Sequence, residues 1–138
     1  MVHLLKLAVG VRDIAHLREL QARRAQVAPP LRHQTRRMPR QVAEITEGGS
    51  IYWVIQGAVA VRQRVREIIE DRWDDGTACC GLVLDETLVP VVPRLVRPFQ
   101  GWRYLQPADA PADVQPGRRM ADGLPLELQR DLAALCLL

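Results

Sequence analysis

The sequence predicts an α+β protein: a mostly antiparallel, strongly bent sheet or partly open barrel, with two or three helices on its outside. Three observations lead there. Ser50–Ile55 (Ser-Ile-Tyr-Trp-Val-Ile) is apolar on both alternating faces, the pattern of a strand buried on both sides. A long segment, Val59–Trp73, runs into Asp74-Asp75-Gly76 and then the strand-like Thr77–Leu84, which reads as a hairpin. Two segments with helical spacing carry their own start and stop residues, and a third closes the chain. At 138 residues the length fits one domain over 1–138, enough for a single core.

Taken in order, His3–Val9 alternates as a strand, with Leu4, Lys6 and Ala8 on one face, and Gly10 ends it. Asp13 is placed to cap a helix over residues 14–26, whose apolar side includes Ile14, Leu17 and Leu20. Pro29-Pro30 stops it. A short strand near His33–Met38 follows. Pro39 then opens a small helix, Gln41–Glu47, closed by Gly48. Gly57 marks a bulge or bend. Val61, Val65, Ile68 and Ile69 would also fit one helix face, but a hairpin turn needs a strand on each side, which favours a long bent strand. Pro90 and Pro93 reduce Leu88–Val96 to an edge strand or extended tract. Residues 106–123, rich in Pro, Gly and Asp, read as a surface loop. A helix over about 125–137 sets Leu128, Leu132 and Leu135 at packing intervals.

The net charge of +3 conceals an asymmetry. There are 12 Lys/Arg against 4 Asp/Glu up to Arg66 and 7 against 12 beyond it, so a half at +8 meets a half at −5. Lys6 is the only lysine; the other 18 cations are arginines, whose planar fork suits phosphate and carboxylate. A GC-rich genome would produce the same bias. Nothing approaches a membrane-spanning apolar run, and the N-terminal segment lacks the basic stretch and cleavage site of a signal peptide, so a cytoplasmic protein is expected. Cys79, Cys80 and Cys136 form no disulfide framework and read as two buried thiols and one helix thiol.

Five of the six aromatics fall in two clusters, Tyr52-Trp53 and Phe99, Trp102 and Tyr104, each with arginines close by. Arginine beside Trp and Tyr makes a stacking platform for bases with phosphate contacts at its rim. A single core nucleus edged by arginine accounts for the same pattern. Arg62, Arg64 and Arg66 share one strand face, where they meet an anion or the acids that follow them, Glu67, Glu70 and Asp71. Catalytic signals are thin. His3, His16 and His33 have no metal-ligand spacing, and Gly48-Gly49-Ser50 precedes a strand, whereas phosphate loops follow one. No catalytic residue, metal or cofactor is expected, and an enzyme is the less favoured reading. Were there one, His33 would be its base, with Arg and Tyr holding an anion.

The motifs His3-Leu4-Leu5-Lys6-Leu7, Met38-Pro39-Arg40, Gly48-Gly49-Ser50-Ile51-Tyr52-Trp53-Val54-Ile55, Arg62-Gln63-Arg64, Leu82-Val83-Leu84-Asp85 and Arg97-Pro98-Phe99-Gln100-Gly101-Trp102-Arg103-Tyr104-Leu105 resemble, nearly end to end, the domain-of-unknown-function 1489 family. The resemblance implies an alphaproteobacterial source and a cytoplasmic address, and brings no activity with it. A helix ending in Gly-Gly before a Trp-bearing strand also looks like the small PUA-like barrels that bind RNA or modified bases.

The first expectation for function is therefore an RNA- or other nucleic-acid-binding module. Arg36, Arg37, Arg40, Arg62, Arg64 and Arg103 would meet the polyanion, and Trp102, Tyr104 and one of Tyr52 and Trp53 would meet its bases. The second is an enzyme or binding protein for a small anionic metabolite, in a pocket between the aromatic clusters that holds His33 and Arg103. The third is an adaptor docking a protein partner through its acidic second half.

Overall fold

A computed structural model describes residues 1–114 of the chain. The expected C-terminal helix, Cys136 and the second half of the 106–123 loop lie outside them. Within the described residues the elements run β1 (His3–Leu7), α1 (Ile14–Val27), β2 (Arg32–Thr35), α2 (Val42–Thr46), β3 (Ser50–Ile55), β4 (Ala58–Arg72), β5 (Ala78–Leu95) and β6 (Trp102–Leu105), followed by a 3-10 turn at Pro107–Asp109. The six strands form one sheet in the order β2-β5-β4-β3-β1-β6. Only β1 and β3 pair in parallel, with α1, β2 and α2 forming the crossover between them. The architecture is α+β, with an open mixed sheet and two helices.

The segment that the sequence left between helix and strand, 58–73, is strand. The turn at its far end decides this: Trp73 N donates to Thr77 O, Gly76 N to Trp73 O, and Asp75 Oδ1 accepts from Thr77 N. Two corrections concern the two ends of this three-strand run, the turn that enters β4 and the far part of β5. Gly57 is not a bulge inside a strand; it forms a two-residue turn with Gln56, both at positive φ (52° and 84°), which suits the twist of the strands it joins. The prolines at 90 and 93 do not break off a separate tract, because β5 runs unbroken from Ala78 to Leu95. β2 covers β5 only at Cys80–Val83, so further along β5 has an edge without a neighbouring strand. There Pro90 O accepts from Val114 N and Val92 N donates to Ala112 O, so the N–H that Pro90 lacks falls on that open side.

Other boundaries are shorter than expected. β1 ends at Leu7, ahead of Gly10 at φ 78°, and β2 covers Arg32–Thr35 instead of His33–Met38. Asp13 caps α1 as anticipated, its Oδ1 accepting from His16 N at 2.7 Å. The glycine pair has a steric role. A Cβ on Gly49 would lie 2.3 Å from Ile45 O and 2.4 Å from Val2 O, so only glycine lets α2 dock against the start of β1.

Alternation along β3 feeds two cores. Ile51, Trp53 and Ile55 join Leu4, Val61, Val65 and Leu82 beneath α1. Tyr52 and Val54 join Val59, Val91 and Leu105 on the opposite face, against which Phe99 and Ala110 also pack. Every residue of β3 is buried, as a strand covered on both faces requires. The sheet curls strongly, since His33 on β2 stands edge-on to Trp53 on β3, three places away in the strand order, at 5.1 Å and 87°. No ladder joins the end strands β2 and β6. Instead the chain after β2 reaches β6 through side chains. Trp102 Nε1 donates to Arg37 O at 2.9 Å, the Arg37 guanidinium lies 4.1 Å over the Trp102 ring, and Tyr104 Oη accepts from Arg40 N and Gln41 N.

Candidate functional site

β1 projects Leu4 and Lys6 towards α1, and its two ladders set Lys6 opposite Trp53 on one side and Trp102 on the other. The curl brings His33 round to the same concavity, and α1 roofs it with Leu17, Leu20, Gln21 and Arg24. Between them lies a cavity of about 250 Å³, with Lys6, Arg24, Arg32, His33, Gln21 and Trp53 in its wall and leucines and valines completing it. None of its lining residues is a carboxylate.

The cations of this wall differ in how they are held. Arg32 is committed: Nε binds Asp71 Oδ2 at 2.5 Å, and Nη1 donates to Ala28 O and Pro30 O at the end of α1. Lys6 and Arg24 make no ion pair or side-chain hydrogen bond among the described residues. Burial holds the Lys6 ammonium below the ordinary lysine range. Burial also drives the His33 imidazolium down to about 4, and the charges of Lys6 and Arg24 push the same way. His33 is thus neutral near pH 7. Its Nε2 is the one buried side-chain polar atom without a hydrogen-bond partner among the described residues.

Beside the cavity a buried amide pair locks α1 to the sheet. Gln21 and Gln63 exchange two hydrogen bonds of 2.8 Å, Trp53 Nε1 donates to Gln63 Oε1 at 3.1 Å, and Gln63 Nε2 donates to Asp85 O. Every polar atom of this group is satisfied, which holds Trp53 and α1 in one relation. Sequence reading passed over both glutamines. The available signal was parity: Gln63 sits between Val61 and Val65 on the inward side of β4.

The arginines and aromatics singled out in the sequence do not gather on one surface. Tyr52, Trp53 and Trp102 are 4, 3 and 4 % exposed, Tyr52 facing the opposite side of the sheet from the two tryptophans. Tyr104 is half-buried, edge-on to Trp102. Arg103 stacks over Phe99 at 4.6 Å, away from the cavity, so His33 and Arg103 do not share a pocket. Arg62 grips Asp113 with both arms of its fork (2.6 and 2.7 Å), tying the 112–114 segment over the second core. Arg66 binds Asp85, whose carboxyl is held below its usual range by the Thr87 backbone N–H and by Arg66. The acids expected to pair with this row, Glu67, Glu70 and Asp71, do not: Asp71 is held by Arg32 and Gln34, and Glu67 and Glu70 make no ion pair among the described residues. Arg36, Arg37, Arg40 and Arg64 are exposed, the first three on the connection between β2 and α2. Among the described residues no group of His, Cys, Asp or Glu is placed to hold a metal ion, and no helix is long and apolar enough to cross a membrane.

These features define an α+β protein with a curled mixed sheet and a cationic cavity under its long helix. The chain belongs to the family described as "protein of unknown function (DUF1489)", which it matches over residues 4–138. No curated protein and no solved structure matches it.

Proposed function

We propose that this protein binds a small organic anion in the cavity between α1 and the sheet. The observation that carries the reading is the unbalanced wall: Lys6 and Arg24 stand at a small concavity whose lining contains no acid. Lys6 is half-buried without a counter-charge, which is unfavourable, and an anionic ligand removes that penalty, while the exposed Arg24 stands at the rim to meet the same charge. The volume lies below the roughly 300–1,000 Å³ usual for drug-sized ligands, which selects a small molecule. The leucine and valine portions of the wall suit a short apolar part, and the cations fix its charged end.

The nucleic-acid reading rests on a different feature, the exposed Arg36, Arg40 and Arg64. It has lost support from the aromatics, because buried Tyr52, Trp53 and Trp102 offer no face to a base. A PUA-like relationship and a cytoplasmic setting belong to that reading as further proposals.

The two separate in one experiment. Thermal unfolding and Trp fluorescence are followed with small carboxylates and phosphates, and in parallel with mixed-sequence RNA at low and moderate salt. The cavity reading expects saturable stabilisation by a small anion, about 2.7 kcal/mol at a hundredfold excess over Kd, weakened by Arg24→Ala. Salt-sensitive binding of RNA with no response to small anions overturns it in favour of the arginine surface.

A further inference from the structure

The residue that matters most to the cavity is the sole lysine of a chain whose other 18 cations are arginines. An arginine at position 6 would supply the same charge and a better fork for an anion. A lysine supplies what arginine lacks, an amine able to lose its proton and act as a nucleophile. Lys6 is half-buried between Trp53 and Trp102 in the two ladders, and no acid among the described residues pairs with it. It shares its cavity with Arg24, an anion holder, and with His33, a neutral imidazole among cations.

We propose that Lys6 is a carbonyl-reactive amine, and that the cavity takes a small anion bearing an aldehyde or ketone, held as a Schiff base on Nζ. The inference rests on the anion-binding reading and adds a covalent step to it. The neutral amine attacks the carbonyl carbon, forming a C–N bond as the carbonyl π pair moves to oxygen. The resulting carbinolamine oxygen collects both protons of the amine, the C–O bond breaks, and water departs. One amine and one carbonyl give one imine and one water, with nothing oxidised or reduced. Burial favours the neutral amine that the first step needs. His33, neutral in the same cavity, is the group suited to carry a proton between nitrogen and oxygen.

The test uses the full chain at neutral pH with glyoxylate or pyruvate and cyanoborohydride, which reduces an imine to a stable adduct. Peptide mass mapping then reads the site. With one lysine present, an ε-amine adduct reports Lys6 alone, and the Met1 α-amine serves as an exposed internal control. The expected result is an adduct on Lys6 that forms faster than on Nα-acetyllysine amide, is competed by lactate, is lost in Lys6→Arg and is slowed in Arg24→Ala. Lys6→Met is the second variant should arginine not fit; if neither folds, wild-type rate and competition decide. A Lys6 no faster than the free model amine, or indifferent to lactate, overturns the proposal. Stabilisation by lactate and pyruvate alike without an adduct removes the Schiff base and leaves the anion site standing; no stabilisation by either removes both.

Discussion

Acidification should destabilise this protein well before its carboxylates titrate, and His33 is the residue to follow. Its imidazole is neutral in the fold because burial and the neighbouring charges of Lys6 and Arg24 hold its pKa at about 4, against 6.5 for an ordinary histidine. Above pH 6.5 the ring is neutral in both folded and unfolded chains, so it contributes no pH dependence. Between 6.5 and about 4 the unfolded chain takes up a proton that the folded one refuses, and stability falls with pH. Below about 4 both forms are charged and the loss levels off. The full interval corresponds to roughly 3 kcal/mol, of which about 2 kcal/mol is expressed by pH 5. The ring is only partly shielded, so screening by solvent makes about 1 kcal/mol the working figure at that pH. Urea unfolding of wild type and His33→Gln at pH 7.5, 6, 5 and 4.5 measures it, together with the imidazole titration by NMR. His3, also lowered by burial and by Arg62, slopes the same way in both proteins and cancels from the comparison. Parallel stability profiles for the two proteins, or an imidazole that titrates near 6.5 in the fold, would refute the reasoning.

Three further outcomes follow from the packing. Gln63→Leu strands the Gln21 amide and Trp53 Nε1 in the core, with an expected loss of about 2–4 kcal/mol; Gln21→Leu combined with it should lose less than the two singles together, which a double-mutant cycle by chemical denaturation will show. Gly49→Ala drives a methyl into two carbonyl oxygens and should cost more than about 3 kcal/mol, seen as loss of cooperative unfolding or of soluble protein; a near-neutral change would mean that α2 docks differently. Arg62→Ala breaks a partly exposed bidentate pair, so about 1 kcal/mol is expected, with earlier proteolytic cutting near residues 106–114 as the sharper readout.

Local patterns were enough to specify much of this molecule. The Asp13 cap, the two apolar faces of Ser50–Ile55, the Asp-Asp-Gly turn and the helix-stopping prolines each act within a few residues of themselves, so one-dimensional spacing carries them. The family motifs were equally plain in the residues. Where two periodicities overlapped, as in Val61–Ile69, the tie was broken by the neighbouring turn. The prolines of β5 did mark an open edge; what they hid was that the edge belongs to one strand continuous from Ala78, because whether a proline is tolerated depends on which strand lies alongside, a property of the sheet order.

The site depended almost wholly on tertiary structure. Alternation already put Tyr52 and Trp53 on opposite faces, but only the fold covered both, while Arg62 found its acid 51 residues away and Arg103 was drawn to Phe99 instead of the cavity. Lys6 and His33 lie on strands at nearly opposite ends of the sheet order, and only curling brings them to one concavity. That curl is a collective outcome of strand twist, the bulges along β4 and the packing of α1, and no short window of sequence encodes it. What the chain did announce was the chemical anomaly, a single lysine among arginines; the fold decided that this amine would stand, half-buried, at the wall of a cavity.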